Sequence, residues 1–310
     1  MDNLICQECK VLFDSLKSLH LHLRLHKISQ VEYYQKHFPR YDQFDGFIIK
    51  FKSLDFYLNS DFNSRLNAIK WLKKVPNNQA IEYIRKFLLE RKAKKGLRFL
   101  PSQVELRSLP MGGIKLLNEI TGDYLSFGKE IGLSSRFSSI EFDGNWNKFS
   151  KKHRIIVDTR EQKPLSFSIP TISEGLMFGD YILNDILFSY DCHIERKSLG
   201  DFYTTLSLGF NRFLREINKA KGSYLVVVIE EPMEEVYNFI YRHQVAGKTR
   251  ISPEFVLHNM REIIQNNQFL QFLFVNDRQD AAKAIERIFC SNGQFRNVDL
   301  QYLYDIGNLI

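Results

Sequence analysis

Apolar positions recur along the chain in two periods. Ile81, Ile84, Phe87 and Leu88 fall on one side of a 3.6-residue repeat, which predicts a helix over 78–95 with Gly96 as its stop. From His153 the pattern shortens. HRIIVDTRE, FGDYIL and HIERKS predict three strands, the last two forming a hairpin that turns near Asn184 and Asp185. Ser198 and Asp201 make an S-x-x-D helix start, and LVVVIEE, which overlaps the longest apolar run (Tyr224 to Ile229), predicts another strand. Beyond Glu231 the order is helix, strand, helix: SPEFVLHNMREIIQNN, with Ser252 as N-cap and Pro253 at the first helical position, then FLQFLFV and DAAKAIERIF. That alternation specifies an α/β layer.

At 310 residues the chain has room for roughly two domains. Its 44% hydrophobic and 25% charged content is that of an ordinary folded protein and excludes wholesale disorder. No run approaches the roughly 18 apolar residues of a membrane span, and the N-terminus lacks a basic-then-apolar leader. The expected setting is therefore intracellular, cytoplasm or nucleus, with no membrane partner. Charge is uneven: residues 1–150 carry 24 Lys and Arg against 16 Asp and Glu, the remainder 19 against 20. A basic first half favours a polyanionic partner, although a solvated basic surface gives the same count. Punctuation by Gly, Ser and Asn from Gly132 to Asn147 marks a boundary, so three regions are expected: 1–28, a basic α-rich stretch 29–148, and 149–310.

The first region reads C-x2-C-x12-H-x3-H, with Cys6, Cys9, His22 and His26 as the four positions and Phe13 and Leu19 as a miniature core. Two thiolates on a knuckle facing two imidazoles at i and i+4 of one helix suit tetrahedral Zn2+. The segment resembles the two-cysteine, two-histidine zinc fingers at each of these positions, which implies a ββα unit. His20 points about 200° away around the helix and cannot join the same metal.

In the middle region Arg91, Lys92, Lys94, Lys95 and Arg98 cluster at the end of the predicted helix. They can neutralise phosphates, or simply be cations well placed at a helix C-terminus. Tyr33, Tyr34, Phe38, Phe51 and Trp71 alternate with Lys and Arg and can stack on unpaired bases, or be core. The same ambiguity holds for Arg212 and Arg215 further on.

The third region carries the chemistry. Asp158, Asp180, Glu195 and Lys197 stand at strand ends, and on a strand Glu195 and Lys197 share a face while Arg196 points away. Phosphodiester hydrolysis requires a hard cation held by carboxylate oxygens to lower the pKa of an attacking water. Asp180 and Glu195 are the natural ligands, Asp158 completes the acidic face, and Lys197 can orient the water or offset charge on the phosphate. Asp201 serves the helix start, the metal surroundings, or both. Cys192 and His193 read as structural, and Cys290 as packing at the end of a helix over 281–289.

VDTRE, then GDY, then ERKSLGDF resembles the nuclease domain of the XPF-type structure-specific endonucleases, whose signature is G-D, a gap, and E-R-K with an Asp four residues beyond the Lys. The similarity covers about residues 153–231 and ends in the apolar strand LVVVIEE. It implies a restriction-endonuclease-like fold, a mixed sheet flanked by helices, that cuts DNA near branches, flaps or junctions with Mg2+ or Mn2+. It marks Asp158, Asp180, Glu195 and Lys197 as catalytic, and Arg160, Glu161, Arg196 and Asp201 as supporting. Pairing as a homodimer or heterodimer through this domain is also implied. The gap between Asp180 and Glu195 is longer than in familiar members, which places an insertion near Phe188 to Cys192. No tandem helix-hairpin-helix module is evident before Ile310, leaving the finger and the basic middle as candidates for DNA binding. A catalytically inactive DNA-binding scaffold and an RNA nuclease are the alternatives on the same residues.

Overall fold

The computed structural model describes residues 4–51, 53–138, 153–184, 192–220, 222–242, 251–291 and 293–310. The expected turn at Asp185, the insertion over 188–191 and the boundary stretch 139–147 lie outside the described residues. By packing the chain divides into two units, residues 1–84 with 109–112 and residues 85–108 with 113–310.

The first unit opens with antiparallel β1 (Leu4–Ile5) and β2 (Leu12–Phe13), then α1 (Leu16–His22) and a 3-10 turn (Leu23–His26). It continues with α2 (Gln30–His37), α3 (Leu54–Asn59), α4 (Arg65–Leu72) and the start of α5 (Asn77–Lys95). Short helices start here because serines cap them: Ser15, Ser29, Ser53 and Ser64 each accept the amide three residues on, and Ser29 with Glu32 forms a full capping box. Cys6, Leu19, Leu23 and Tyr33 make one small core and Ile49, Phe51 and Tyr57 a second. The aromatic residues offered for base stacking are therefore mostly packing groups. Tyr33 and Phe51 are buried, Tyr34 joins both cores, and Trp71 packs on Phe62 and Tyr83 at 5.6 and 5.5 Å between ring centres. Of the five, Phe38 is exposed.

The second unit begins with the end of α5, then α6 (Gln103–Ser108), α7 (Ile114–Thr121) and α8 (Tyr124–Glu130). Next come β3 (Arg154–Asp158), β4 (Thr171–Glu174), β5 (Tyr181–Asn184) and β6 (Cys192–Lys197), followed by α9 (Leu199–Thr205), α10 (Phe210–Lys219) and β7 (Tyr224–Ile229). The chain closes with α11 (Glu234–Arg242), α12 (Pro253–Asn266), β8 (Leu270–Phe274), α13 (Arg278–Cys290) and α14 (Leu300–Asp305). The six strands form one mixed sheet in the order β4-β3-β5-β6-β7-β8, antiparallel at β3/β5 and β5/β6 and parallel elsewhere. This is the mixed α/β architecture the strand and helix pattern called for. The polar TISE strand, β4, gave no apolar signal and was not anticipated.

Alternation along the strands fills two cores. Val226, Val228 and Leu273 join Ile155, Val157, Tyr181 and Ile194 under α13 and α14. Leu225, Val227, Ile229, Phe272 and Phe274 meet α9, α10 and α12 on the opposite face. Part of the expected middle region packs with this sheet. In α6, the Gln103 amide donates to Asp299 at 2.6 Å, and Arg107 bridges Asp305 (2.8 Å) and Glu234 (2.5 Å). Among the described residues no helix is long and apolar enough to cross a membrane.

Gly128 in α8 lies against the buried Leu100, whose side chain occupies the space a Cβ would need. Gly128→Ala is expected to cost about 1–3 kcal/mol through overpacking, read as a lowered urea midpoint. An unchanged midpoint would mean that Leu100 moves aside freely.

Candidate active site and metal centre

Pairing in the sheet sets the acidic residues side by side. Val157 faces Tyr181 and Tyr181 faces Ile194, so one step further Asp158, Asp180 and Glu195 adjoin at the same strand ends, on the sheet face opposite Tyr181 and Ile194. Gly179 makes this possible. Its φ is +74°, and a Cβ would stand 3.0 Å from the Ile194 carbonyl oxygen, so glycine lets the chain turn into β5 against β6. The Asp180 amide then donates to that carbonyl at 2.7 Å, and the Arg196 amide donates to Asp180 Oδ2 at 2.7 Å.

The three carboxylates have different environments. Asp158 is buried and accepts four hydrogen bonds: Oδ1 from the Arg160 amide and Nε (both 2.7 Å), Oδ2 from Arg160 Nη2 (3.0 Å) and the Leu176 amide (2.6 Å). Arg160 above all holds its pKa down, to about 2. With every lone-pair direction engaged, Asp158 anchors Arg160 and the loop before Gly179. Asp180 is the opposite case. Burial first, and then the charge of Glu195, pushes its pKa up to about 7. Glu195 Oε1 accepts from Lys197 Nζ at 2.8 Å, and that ammonium also sits 5.4 Å over the Phe213 ring. Asp180 and Glu195 together offer hard oxygen donors whose mutual repulsion a divalent cation would relieve, so the pair fits Mg2+ or Mn2+.

The supporting residues divide likewise. On the other sheet face the Arg196 guanidinium meets Glu161 (3.0 and 2.9 Å) and Glu230 (3.0 Å). Asp201 bonds Ser198 Oγ at 2.6 Å within its own helix cap, which accounts for it structurally. His193 stacks on Phe178 (3.8 Å between ring centres) and bonds its carbonyl, in keeping with a structural role. Glu230 and Leu176 were not singled out from the sequence. Glu230 gave one usable signal, an acidic residue directly after a wholly apolar strand.

Compared with solved structures, the chain is similar to XPF from Aeropyrum pernix, with 21% identity over 44% of this chain and 59% of that one and a TM-score of 0.33. The same protein in complex with DNA gives 22% identity over 43% and 61%, at 0.32. The matched part thus spans about three fifths of those chains. No protein-family model matches, and no curated protein does either.

The N-terminal knuckle assembles as expected. Cys9 Sγ lies 3.1 Å from His22 Nε2, Cys6 Sγ 3.6 Å from His26 Nε2, and the two Nε2 atoms 3.0 Å apart. Tetrahedral Zn2+ with bonds of about 2.0–2.3 Å needs ligand atoms separated by about 3.3–3.8 Å, so the set, with these pairs at 3.0, 3.1 and 3.6 Å, fits zinc after small adjustments. Among the described residues it is the one group of three or more Cys, His, Asp or Glu ligand atoms gathered within 4.8 Å. Lys10 closes the knuckle in left-handed conformation (φ 63°), its amide donating to the Cys6 carbonyl at 2.8 Å. His26 sits in the 3-10 turn and not on a continued α-helix. His20 turns away to Tyr34 Oη at 3.1 Å.

The basic residues at the end of α5 are largely engaged. Arg91, nearly buried, pairs with buried Glu105 (2.7 Å) and the Phe99 carbonyl, Lys92 caps the Gly132 carbonyl, and Lys95 pairs with Glu262. These cations hold the end of α5 within the second unit, Arg91 most tightly. Arg98, Arg212 and Arg215 are exposed, Arg212 with a 3.6 Å partner in Glu216.

Proposed function

We propose that the chain is a metal-dependent nuclease that hydrolyses phosphodiester bonds of DNA, at branched, flapped or junction structures. The observation that carries this is the Asp180, Glu195 and Lys197 constellation, a buried carboxylate with a raised pKa beside a second carboxylate that an ammonium holds. Asp180 and Glu195 would hold Mg2+ or Mn2+, which supplies charge neutralisation at the scissile phosphate and an acidified water. Lys197 spends one of its three donors on Glu195, and its charge would offset the negative charge that grows on the phosphate. Arg160, its side chain 67% exposed yet anchored at Asp158, is placed to bind a neighbouring phosphate. Zinc in the knuckle is structural.

The test is incubation of the full chain with labelled duplex, forked, flapped and four-way DNA, and with RNA, in Mn2+, Mg2+ or EDTA. Cleavage of DNA with either metal and none in EDTA is the expected result. Binding to DNA without cleavage under any condition would replace the nuclease with a scaffold, and preferential cutting of RNA would change the substrate.

Metal uptake should also move a proton. With the Asp180 carboxyl at about 7, Mn2+ binding at pH 6.5 is expected to release up to about one proton per site, and close to none at pH 8.5, where Asp180 is already ionised. Calorimetry in two buffers of different ionisation enthalpy measures this. Equal release at both pH values would place the metal elsewhere.

A further inference from the structure

The Arg196 guanidinium lies behind the carboxylate pair, while its main-chain amide holds Asp180 from the front, so whatever fixes this residue also fixes a ligand. Glu161 takes two of its donors and Glu230 a third, and all three side chains are at least 85% buried. Glu230 is in turn held by Arg278, whose Nη1 donates to Oε1 at 2.9 Å and Oε2 at 3.2 Å. The other arm of Arg278 donates to the carbonyls of Lys163 (2.8 Å) and Pro164 (3.2 Å), in the loop just after Glu161. One side chain thus ties the end of β7 to the loop that leaves β3.

The place of Arg278 is otherwise unfavourable. It is the first residue of α13, where the helix dipole repels a cation. Its partners supply the compensation. The four side chains Glu161, Arg196, Glu230 and Arg278 alternate in sign and sum to zero charge, so the cluster adds no net charge to the carboxylate site beside it. Glu230 also follows the strand residue whose partner is Lys197, and its amide donates to the Lys197 carbonyl at 3.1 Å.

We propose that Glu230 and Arg278 are positioning residues of the metal site: Arg278 clasps Glu230 and the 163–164 loop, which sets Arg196 between two carboxylates and through its amide sets Asp180. The proposal rests on Asp180 and Glu195 being the metal pair. Groups that orient metal ligands from behind typically contribute 10–100-fold in metal affinity. Arg278→Lys keeps the charge and loses the planar fork that reaches Glu230 and two carbonyls at once. Glu230→Gln keeps the shape and leaves two cations beside the site.

The test titrates Mn2+ into the zinc-loaded full chain, following free Mn2+ by electron paramagnetic resonance, so that no catalysis is required. The site is defined as the binding that Glu195→Gln removes. Arg278→Lys and Glu230→Gln should each raise its half-saturating Mn2+ concentration by about 10-fold, with circular dichroism unchanged. A purely structural role would lower the unfolding midpoint and leave Mn2+ affinity at the wild-type value, and that result overturns the proposal. Absence in wild type of any Mn2+ site sensitive to Glu195→Gln would instead overturn the metal-pair reading, and the clasp with it. Arg278→Gln is the companion variant. If the clasp is geometric it matches Arg278→Lys, and a loss confined to Arg278→Gln would reduce the effect to charge alone and overturn the clasp.

Discussion

Asp180→Asn and Glu195→Gln are each expected to lower metal-dependent cleavage by at least about 100-fold, more than the loss of a residue behind the ligands. Both replacements are isosteric, so the loss reports charge and ligation rather than packing. Asp180→Asn carries a second, opposite consequence. Its folded pKa of about 7 stands above the ordinary carboxylate value. The stabilising contribution is therefore complete below about pH 4 and lost as pH rises towards 7, because the folded state there binds a proton the unfolded chain releases. In EDTA at pH 8 the ionised Asp180 is a liability, and Asp180→Asn should raise the melting temperature while abolishing cleavage. An active site that gains stability when its function is removed is the expected signature of a strained ligand pair. The measurements are initial rates at saturating Mn2+ and thermal unfolding at pH 5 and pH 8 in EDTA. Cleavage within a few-fold of wild type in both variants would remove Asp180 and Glu195 from the chemistry. A lower melting temperature at pH 8 would remove the electrostatic strain.

How far the sequence led depends on what each feature needs. Glu195 and Lys197 on one strand face, with Arg196 opposite, follow from a two-residue period, and Gly179 from its place before a strand, so this part of the site was legible. The ring of four hydrogen bonds on Asp158 was not legible, because it comes partly from Leu176, 18 residues on, and a carboxylate's partners leave no mark on its own spacing. Arg278 and Glu230 meet across 48 residues and Arg107 and Asp305 across 198, distances at which charge pairing has no pattern to read. The aromatic, basic stretch left both readings open. Tyr33 over the finger core and Arg91 against Glu105 use the same residue types that nucleic-acid surfaces use, so composition alone did not separate packing from recognition.

Removal of zinc from the knuckle is expected to unfold residues 1–28 while leaving the unfolding transition of the sheet-bearing unit in place. The ligands close on Leu19 and Leu23, and Cys6 with these two, Phe13 and the neighbouring Tyr33 makes a core of a handful of side chains. Below about 40 residues such a core does not offset chain entropy without a metal or cross-link. Structural zinc contributes about 10–16 kcal/mol in comparable peptides near neutral pH, and that term is absent from the apo state. Tyr33 adds some external support, since its hydroxyl receives the Gln7 amide at 2.8 Å, but this hydrogen bond restrains one side of the knuckle only. Cys9→Ser tests the point by protein chemistry alone. The variant should lose its zinc, measured as about one atom per wild-type chain, and become open to trypsin at Lys10, Lys17, Arg24 and Lys27. Calorimetry should show the larger unit melting as before. A zinc-free chain that keeps these sites protected would mean that the packing of α2 against the knuckle, and not the metal, holds it together.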